Sequence, residues 1–439
     1  VTLAHKYRTT LSDGSISGGP MYYIEKSFNM RSAGVLFAAL MMICAIGSGN
    51  MPQINNIAGV LDSAFSIPKL ATGLILGIML WLIISGGIKR IAKIASRLVP
   101  VMAVIYFGGA LVVVIENYHN IIPSFNSIFS QVFSGSAAVG GFLGASFAMS
   151  LKLGVARGLY SNEAGQGSSP IAHASAKTEH SIEQGMVSIL EPFIDTIVVC
   201  SVTALVILSS GAWTQKYENT FERSSMAIFV GEYNESNVND VEELGKYILD
   251  ARKFTNNTSA VENFSGDLNI ISGELDQDGI TIFHNNSIAE DVRFYKQNIL
   301  YDGTIEINDG VISDNSIQVK GKSLIHSAEL TSKAFGSGVL GLYGEYIVAI
   351  GLLLFAFSTA IAWSYYGDRS TAYIFGETAV PWYRMLYVLC FIAAAIIDTT
   401  VIWNIAYVVV ALVTIPNLFA MFLLRKEMRE QVENYVVEK

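Results

Sequence analysis

Eight stretches of about 18 or more predominantly apolar residues dominate this chain, at 33–57, 70–87, 98–115, 139–158, 185–210, 340–365, 387–400 and 401–424. A run of that length matches the hydrocarbon thickness of a bilayer when helical, and inside lipid every backbone polar group has to find its partner within the segment. The chain is therefore read as an all-α polytopic membrane protein. Composition agrees: 51% of the residues are hydrophobic, only 15% are charged, and mean hydropathy is +0.43. The seventh run is short, and Asp398 marks the point where the chain turns straight back.

Orientation follows from the short loops. Lys6, Arg8, Lys26 and Arg31 precede the first span, Lys89, Arg90, Lys93 and Arg97 separate the second from the third, and Arg425, Lys426 and Arg429 follow the last. Basic residues collect on the cytoplasmic side, so these loops are assigned there. The intervening short loops carry only Lys69. Residues 1–210 thus form a first membrane block and 339–426 a second, with a cytoplasmic tail at 427–439.

Residues 211–338 are a different material. They hold 20 of the 37 acidic residues against 10 basic ones, a net charge of −10 that leaves +1 for the remainder. Short alternating runs between 268 and 325, with Asp-Gly at 278, 302 and 309, predict hairpins. A helix over 241–253 is expected before them. The segment reads as an acidic, β-rich domain on the extracytoplasmic side, available to a partner there. Cys44, Cys200 and Cys390 all fall in apolar spans, where a thiol behaves as a small hydrophobe. The spacing of His173 and His180 does not place them on one helix face. Nothing in the sequence resembles a nucleophile elbow, a metal motif or a phosphate loop, so an enzyme is disfavoured, and no nucleic-acid partner is expected.

Breaks in the spans carry the functional signal. Residues 154–170, GVARGLYSNEAGQGSSP, combine glycines and small polar residues at the end of a span, as a helix interrupted to line a site would. Asn50, Gln53, Asn55 and Asn56 put four amides into about two turns, too many for a lipid-facing surface, and Pro52 kinks that span. Asp195 in an apolar run is a functional candidate by default. Arg157 and Glu163 flank the interrupted segment as a gate pair, with a solvated loop pair the equal alternative.

Six blocks in order make the chain resemble the alanine or glycine:cation symporter family: GGPMYYIE at 18–25, GNMPQINNIAG at 49–59, GVARGLYSNEAGQGSSPIAHASAKT at 154–178, FIDTIVVCSVTALVIL at 193–208, FAFSTAIAWSYYG at 355–367 and IPNLFA at 415–420. The acidic segment has no counterpart in that pattern. The resemblance implies a leucine-transporter-like fold, two inverted repeats of five helices that rock around a central site. On that alignment the chain starts at the end of the family's second helix and reads as N-terminally truncated, without the first. The resemblance implies sodium-coupled movement of alanine or glycine across the plasma (inner) membrane. It assigns substrate contact to Gln53, favours Phe147, Ser150 and Gly154 as substrate contacts over helix packing, and assigns sodium binding to Ser358, Thr359 and Asp195; Asn50, from the amide cluster, is a further substrate candidate. Tyr407 stands where relatives are expected to have Asp. The competing reading is a transport-inactive scaffold that presents the acidic domain.

Overall fold

The structure, a computed structural model, describes residues 1–11, 14–133, 138–139, 142–143, 147–161, 163–251 and 259–438. The chain divides into two compact units. The first comprises 1–109, 155–204 and 346–439, and the second 110–154 and 205–345.

The membrane part is mostly helical. Helices 31–65, 96–116, 181–210, 342–375 and 399–423 are long and apolar enough to cross a membrane, and Lys69–Ile84 is a shorter apolar helix. The 31–65 segment is two helices, Arg31–Gly47 and Met51–Phe65, separated at Ser48, Gly49 and Asn50. Its interruption is built into the sequence: Gly49 tolerates the turn, and Pro52, with no N–H to donate, sits in the first turn of the second piece, where helices accept it. Exposed Leu36 and Ile43 alternate with buried Phe37, Met41 and Cys44, so one stripe faces outward and the other packs inward. Val380–Ala394 and Thr399–Leu423 are joined by a tight turn, and Asp398 caps the second helix by accepting from the N–H groups of Thr400 at 3.0 Å and Val401 at 3.3 Å.

Two further irregularities matter. Helix Phe147–Ser161 continues through Gly154 and Gly158, and short helices follow at Glu163–Gln166 and Ser169–His173. The described interruption falls at Gly167 and Ser168, between the two short helices and inside the 154–170 stretch, while a run of Leu, Val, Ala and Arg around Gly154 and Gly158 keeps helical propensity high there. In the 181–210 segment a π-helical stretch, Phe193–Val199, follows Glu191 and Pro192. Proline deprives the preceding turn of a donor, and such wide turns are a common way to absorb the mismatch.

The second unit contains three antiparallel sheets between residues 217 and 323. Strand Gly266–Ile271 pairs with Gly303–Asn308, Glu290–Lys296 with Ile317–Ser323, and Met226–Val230 with Ile280–His284. Their inward faces form one apolar core that includes Ile228, Leu268, Phe294, Ile305, Ile307 and Val319. Helix Val238–Ala251 lays Leu244 and Ile248 against Phe229 and Phe283 in a smaller core. Asn120 donates to the Ser209 carbonyl at 2.9 Å within this unit.

Candidate functional site

The two interruptions of the first unit meet through side chains. Tyr160, on helix Phe147–Ser161, donates its hydroxyl to the Ser48 carbonyl at 2.9 Å. That carbonyl is among those a helix leaves unpaired at its C-terminal end. Gln53, one turn past the first break, donates to the Tyr160 oxygen at 3.1 Å. Trp363, from helix Leu342–Phe375, packs against Gly49, and a Cβ at that position would run into its ring. Its indole N–H donates to Glu163 at 2.9 Å. The second break is thus tied to the first through Tyr160 on one side and Trp363 on the other.

Glu163 accepts two further bonds, from Tyr366 at 3.1 Å and Ser168 at 3.2 Å. It lies outside the five long spans. Burial, reinforced by the charge of Glu191, pushes its carboxyl up to about 7 against the opposing pull of the Trp363, Tyr366 and Ser168 donors. Gln166, fully buried, donates to the Leu159 and Tyr160 carbonyls at 2.7 and 2.8 Å. Gly167 takes a left-handed φ of 86° where a side chain would strike Pro20, which makes glycine the fitting residue there. Beyond Tyr160 the aromatic wall continues through Trp403 at 5.1 Å and Tyr407, 5.7 Å from Trp403.

Asn50 is fully buried and donates to the Tyr387 carbonyl at 2.7 Å, while its own oxygen has no protein partner among the described residues. The oxygen of Gln166 is likewise buried and unpartnered. A buried acceptor left unpaired costs about 1–3 kcal/mol, so both are acceptors available to a ligand. Gln53 and Asn50 therefore stand at the first interruption. The other two amides are structural: Asn55 donates to Ala394 at 3.0 Å and Ile397 at 2.7 Å and accepts from Thr399 at 2.8 Å, and Asn56 donates to Pro52 at 2.7 Å.

The remaining candidates separate. The side chain of Phe147 lies outside the described residues. Ser150 and Gly154 are exposed on continuous helix in the second unit, and nothing surrounds Gly154. Ser358 and Thr359 both donate to the Phe355 carbonyl, at 2.9 and 3.0 Å, so their hydrogens are taken while their oxygens can still accept. Asp195 is exposed on the π-helical stretch and accepts from Ser161. Arg157 stacks over Trp403 at 5.3 Å, whereas Glu163 is held by Trp363, Tyr366 and Ser168. The expected Arg157–Glu163 pair is therefore not formed: an aromatic face offers the guanidinium a less costly place in a low-dielectric setting than a carboxylate already holding three donors. Sequence reasoning missed Tyr160, Gln166 and Trp363. Only the density of aromatic and amide residues beside the breaks marked them.

A multi-pass helical membrane protein whose spans are interrupted around shared polar and aromatic side chains belongs to the class of solute transporters. The family model described as the sodium:alanine symporter family matches residues 1–238 and 310–439. Among individual proteins, the chain is similar to the sodium/alanine symporter AgcS of Methanococcus maripaludis, with 32% identity over 96% of this chain and 70% of that protein. It is similar to an uncharacterized transporter of Haemophilus influenzae, with 30% identity over 99% of this chain and 72% of the relative. The amino-acid carrier protein AlsT of Bacillus subtilis is 38% identical over 47% of this chain and 43% of its own length. The chain belongs to the sodium:alanine symporter family, whose members are transporters and not enzymes.

Proposed function

We propose that this protein carries a small neutral amino acid, alanine or glycine, inward across the plasma membrane together with sodium, by alternating access in a leucine-transporter-like arrangement of inverted repeats. The observation that carries the reading is the pair of helix interruptions joined through Tyr160, Gln53, Trp363 and Glu163. Helix ends offer unpaired N–H and C=O groups, the chemistry that recognises a zwitterion's carboxylate and ammonium. The unpartnered oxygens of Asn50 and Gln166 suit the ammonium. The Ser358 and Thr359 oxygens are hard donors of the kind a sodium ion takes, and Asp195 would add charge. Coupling is thermodynamic: cation and amino acid each favour the same closed state, so each raises the other's affinity. In this reading 211–338 is an extracytoplasmic domain carried on the transporter, and Arg157 and Glu163 act separately at the cytoplasmic end.

The test is uptake of labelled alanine and glycine into proteoliposomes by the full-length protein, with and without an inward sodium gradient, beside Gln53→Leu. Sodium-dependent uptake that falls at least tenfold in the variant is expected. Equal uptake without sodium would refute the choice of cation, and undiminished uptake by Gln53→Leu would move the substrate site elsewhere.

A further inference from the structure

Glu163 sits at the junction of the two interruptions, and its three hydrogen-bond donors among the described residues are all neutral. Trp363 and Tyr366 reach it from helix Leu342–Phe375, and Ser168 from the turn beyond its own short helix. Among the described residues no Lys, Arg or His forms an ion pair with it. His173, the nearest imidazole on the following helix, is engaged by Glu191 at 3.1 Å, and Arg157 by Trp403. The other titratable groups facing it are Cys44 from helix Arg31–Gly47, Tyr160 from helix Phe147–Ser161, Glu191 from the 181–210 segment and Tyr366 itself. Helix Thr399–Leu423 contributes neutral Asn417, which donates to the Gly165 carbonyl at 2.9 Å.

A half-buried acid with neutral donors and an acidic neighbour is poised between two states of different bonding. Ionised, it accepts three charge-assisted bonds, roughly twice as strong as neutral ones. Protonated, it turns one oxygen into a donor and releases its hold. Trp363 is the lever, since the ring that Glu163 grips also covers Gly49 in the first interruption. We propose that Glu163 is a proton-binding latch of the transport cluster: the ionised carboxylate clamps Trp363 and Tyr366 onto the two interruptions, and a proton taken from bulk water loosens that clamp. The inference deepens the transport reading above and rests on it.

Infrared difference titration of the purified full-length chain between pH 8.5 and 5.5 tests it. The carbonyl stretch of a protonated carboxylic acid is expected to grow in near pH 7, to be missing in Glu163→Gln and to persist in Glu191→Gln. Tyr366→Phe, which removes one donor from the ionised form, is expected to raise proton affinity at that site about tenfold, with a matching upward move of the pH at which tryptophan fluorescence changes. This second variant keeps the test alive if Glu163→Gln does not fold. Absence of the band in the wild type, its survival in Glu163→Gln, or an unmoved midpoint in Tyr366→Phe overturns the latch. These titrations need no uptake, so they fail or succeed separately from the amino-acid assay.

Discussion

Replacing Asn55 by alanine removes more than its place in the sequence suggests. The side chain is buried, at 4% exposure, and binds the turn between two helices at three points: the Ala394 carbonyl, the Ile397 carbonyl and the Thr399 hydroxyl. Polar contacts between membrane helices average roughly 0.6 kcal/mol each, which sets a floor of about 2 kcal/mol for three. The soluble-protein figure of about 1 kcal/mol per bond gives about 3 kcal/mol. The expected loss is therefore about 2–3 kcal/mol, a roughly 30- to 150-fold fall in the folded-to-unfolded ratio. Asn56 is the internal control, because its amide donates only to Pro52, one turn back in the same helix, and ties nothing across helices. Asn56→Ala is expected to cost about 0.5 kcal/mol or less. Unfolding of both variants in mixed micelles, followed by circular dichroism, gives the comparison. If Asn55→Ala is no less stable than Asn56→Ala, the turn at 395–398 is held by packing and the hydrogen-bond argument fails.

Other perturbations address the site and the second unit. Gly49→Ala would drive a methyl group into the Trp363 ring and pull the indole from Glu163, so uptake is expected to fall more than tenfold with a red-shifted tryptophan emission; unchanged emission would refute the contact. Tyr160→Phe loses the donor to Ser48 and the acceptor for Gln53, and about a tenfold drop in alanine uptake at unchanged expression is expected. In the sheets, the Ser316 hydroxyl and N–H and then Lys296 hold the Asp314 carboxyl at about 2, below its ordinary 3.8. A depressed acid stabilises the fold above its unfolded value and loses that contribution as pH falls through about 2. Asp314→Asn should therefore speed amide exchange around 311–317 at pH 7 and leave it like the wild type near pH 2. Faster exchange at both would contradict the assignment.

The membrane part was legible where hydropathy alone decides and illegible where side chains choose among partners. Runs of apolar residues located the long helices, and Asp398 announced a turn because a carboxylate at that boundary has one obvious task, capping the next helix. Glycines were a weaker guide. Within the 154–170 stretch, helix Phe147–Ser161 passes through Gly154 and the described interruption comes at Gly167, while Gly49 sits at the other interruption. The difference lies in the neighbours. Pro52 follows Gly49 by three residues, whereas good helix formers surround Gly154, and one glycine costs only about 1 kcal/mol against a helix whose other bonds are intact. Gln53 and Asn50 were identifiable because amides inside an apolar run demand partners. Tyr160 and Trp363 were not, since an aromatic in a span reads as packing until its hydroxyl or indole N–H is seen to reach a freed carbonyl or a buried acid.

The second unit shows the same limit in turn chemistry. Three Asp-Gly pairs predicted three hairpins, but only Asp309–Gly310 turns a two-residue hairpin, with φ of 50° and 76° linking strands Gly303–Asn308 and Val311–Ile312. Gly279 and Gly303 take positive φ at the entry to their strands instead. The other tight hairpins use Ser272–Gly273, Asn285–Asn286 and Gln297–Asn298, each with both residues at positive φ. Asparagine enters the left-handed region at low cost, and glycine does so freely, whereas serine and glutamine there need the flanking ladder to hold them. Four such turns recur every 12 or 13 residues, which gives this segment a hairpin period of its own. The family model passes over 239–309, where three of the four lie. A segment with its own repeat, its own apolar core and its own acidic charge can vary while the interrupted helices that make up the candidate site stay as they are.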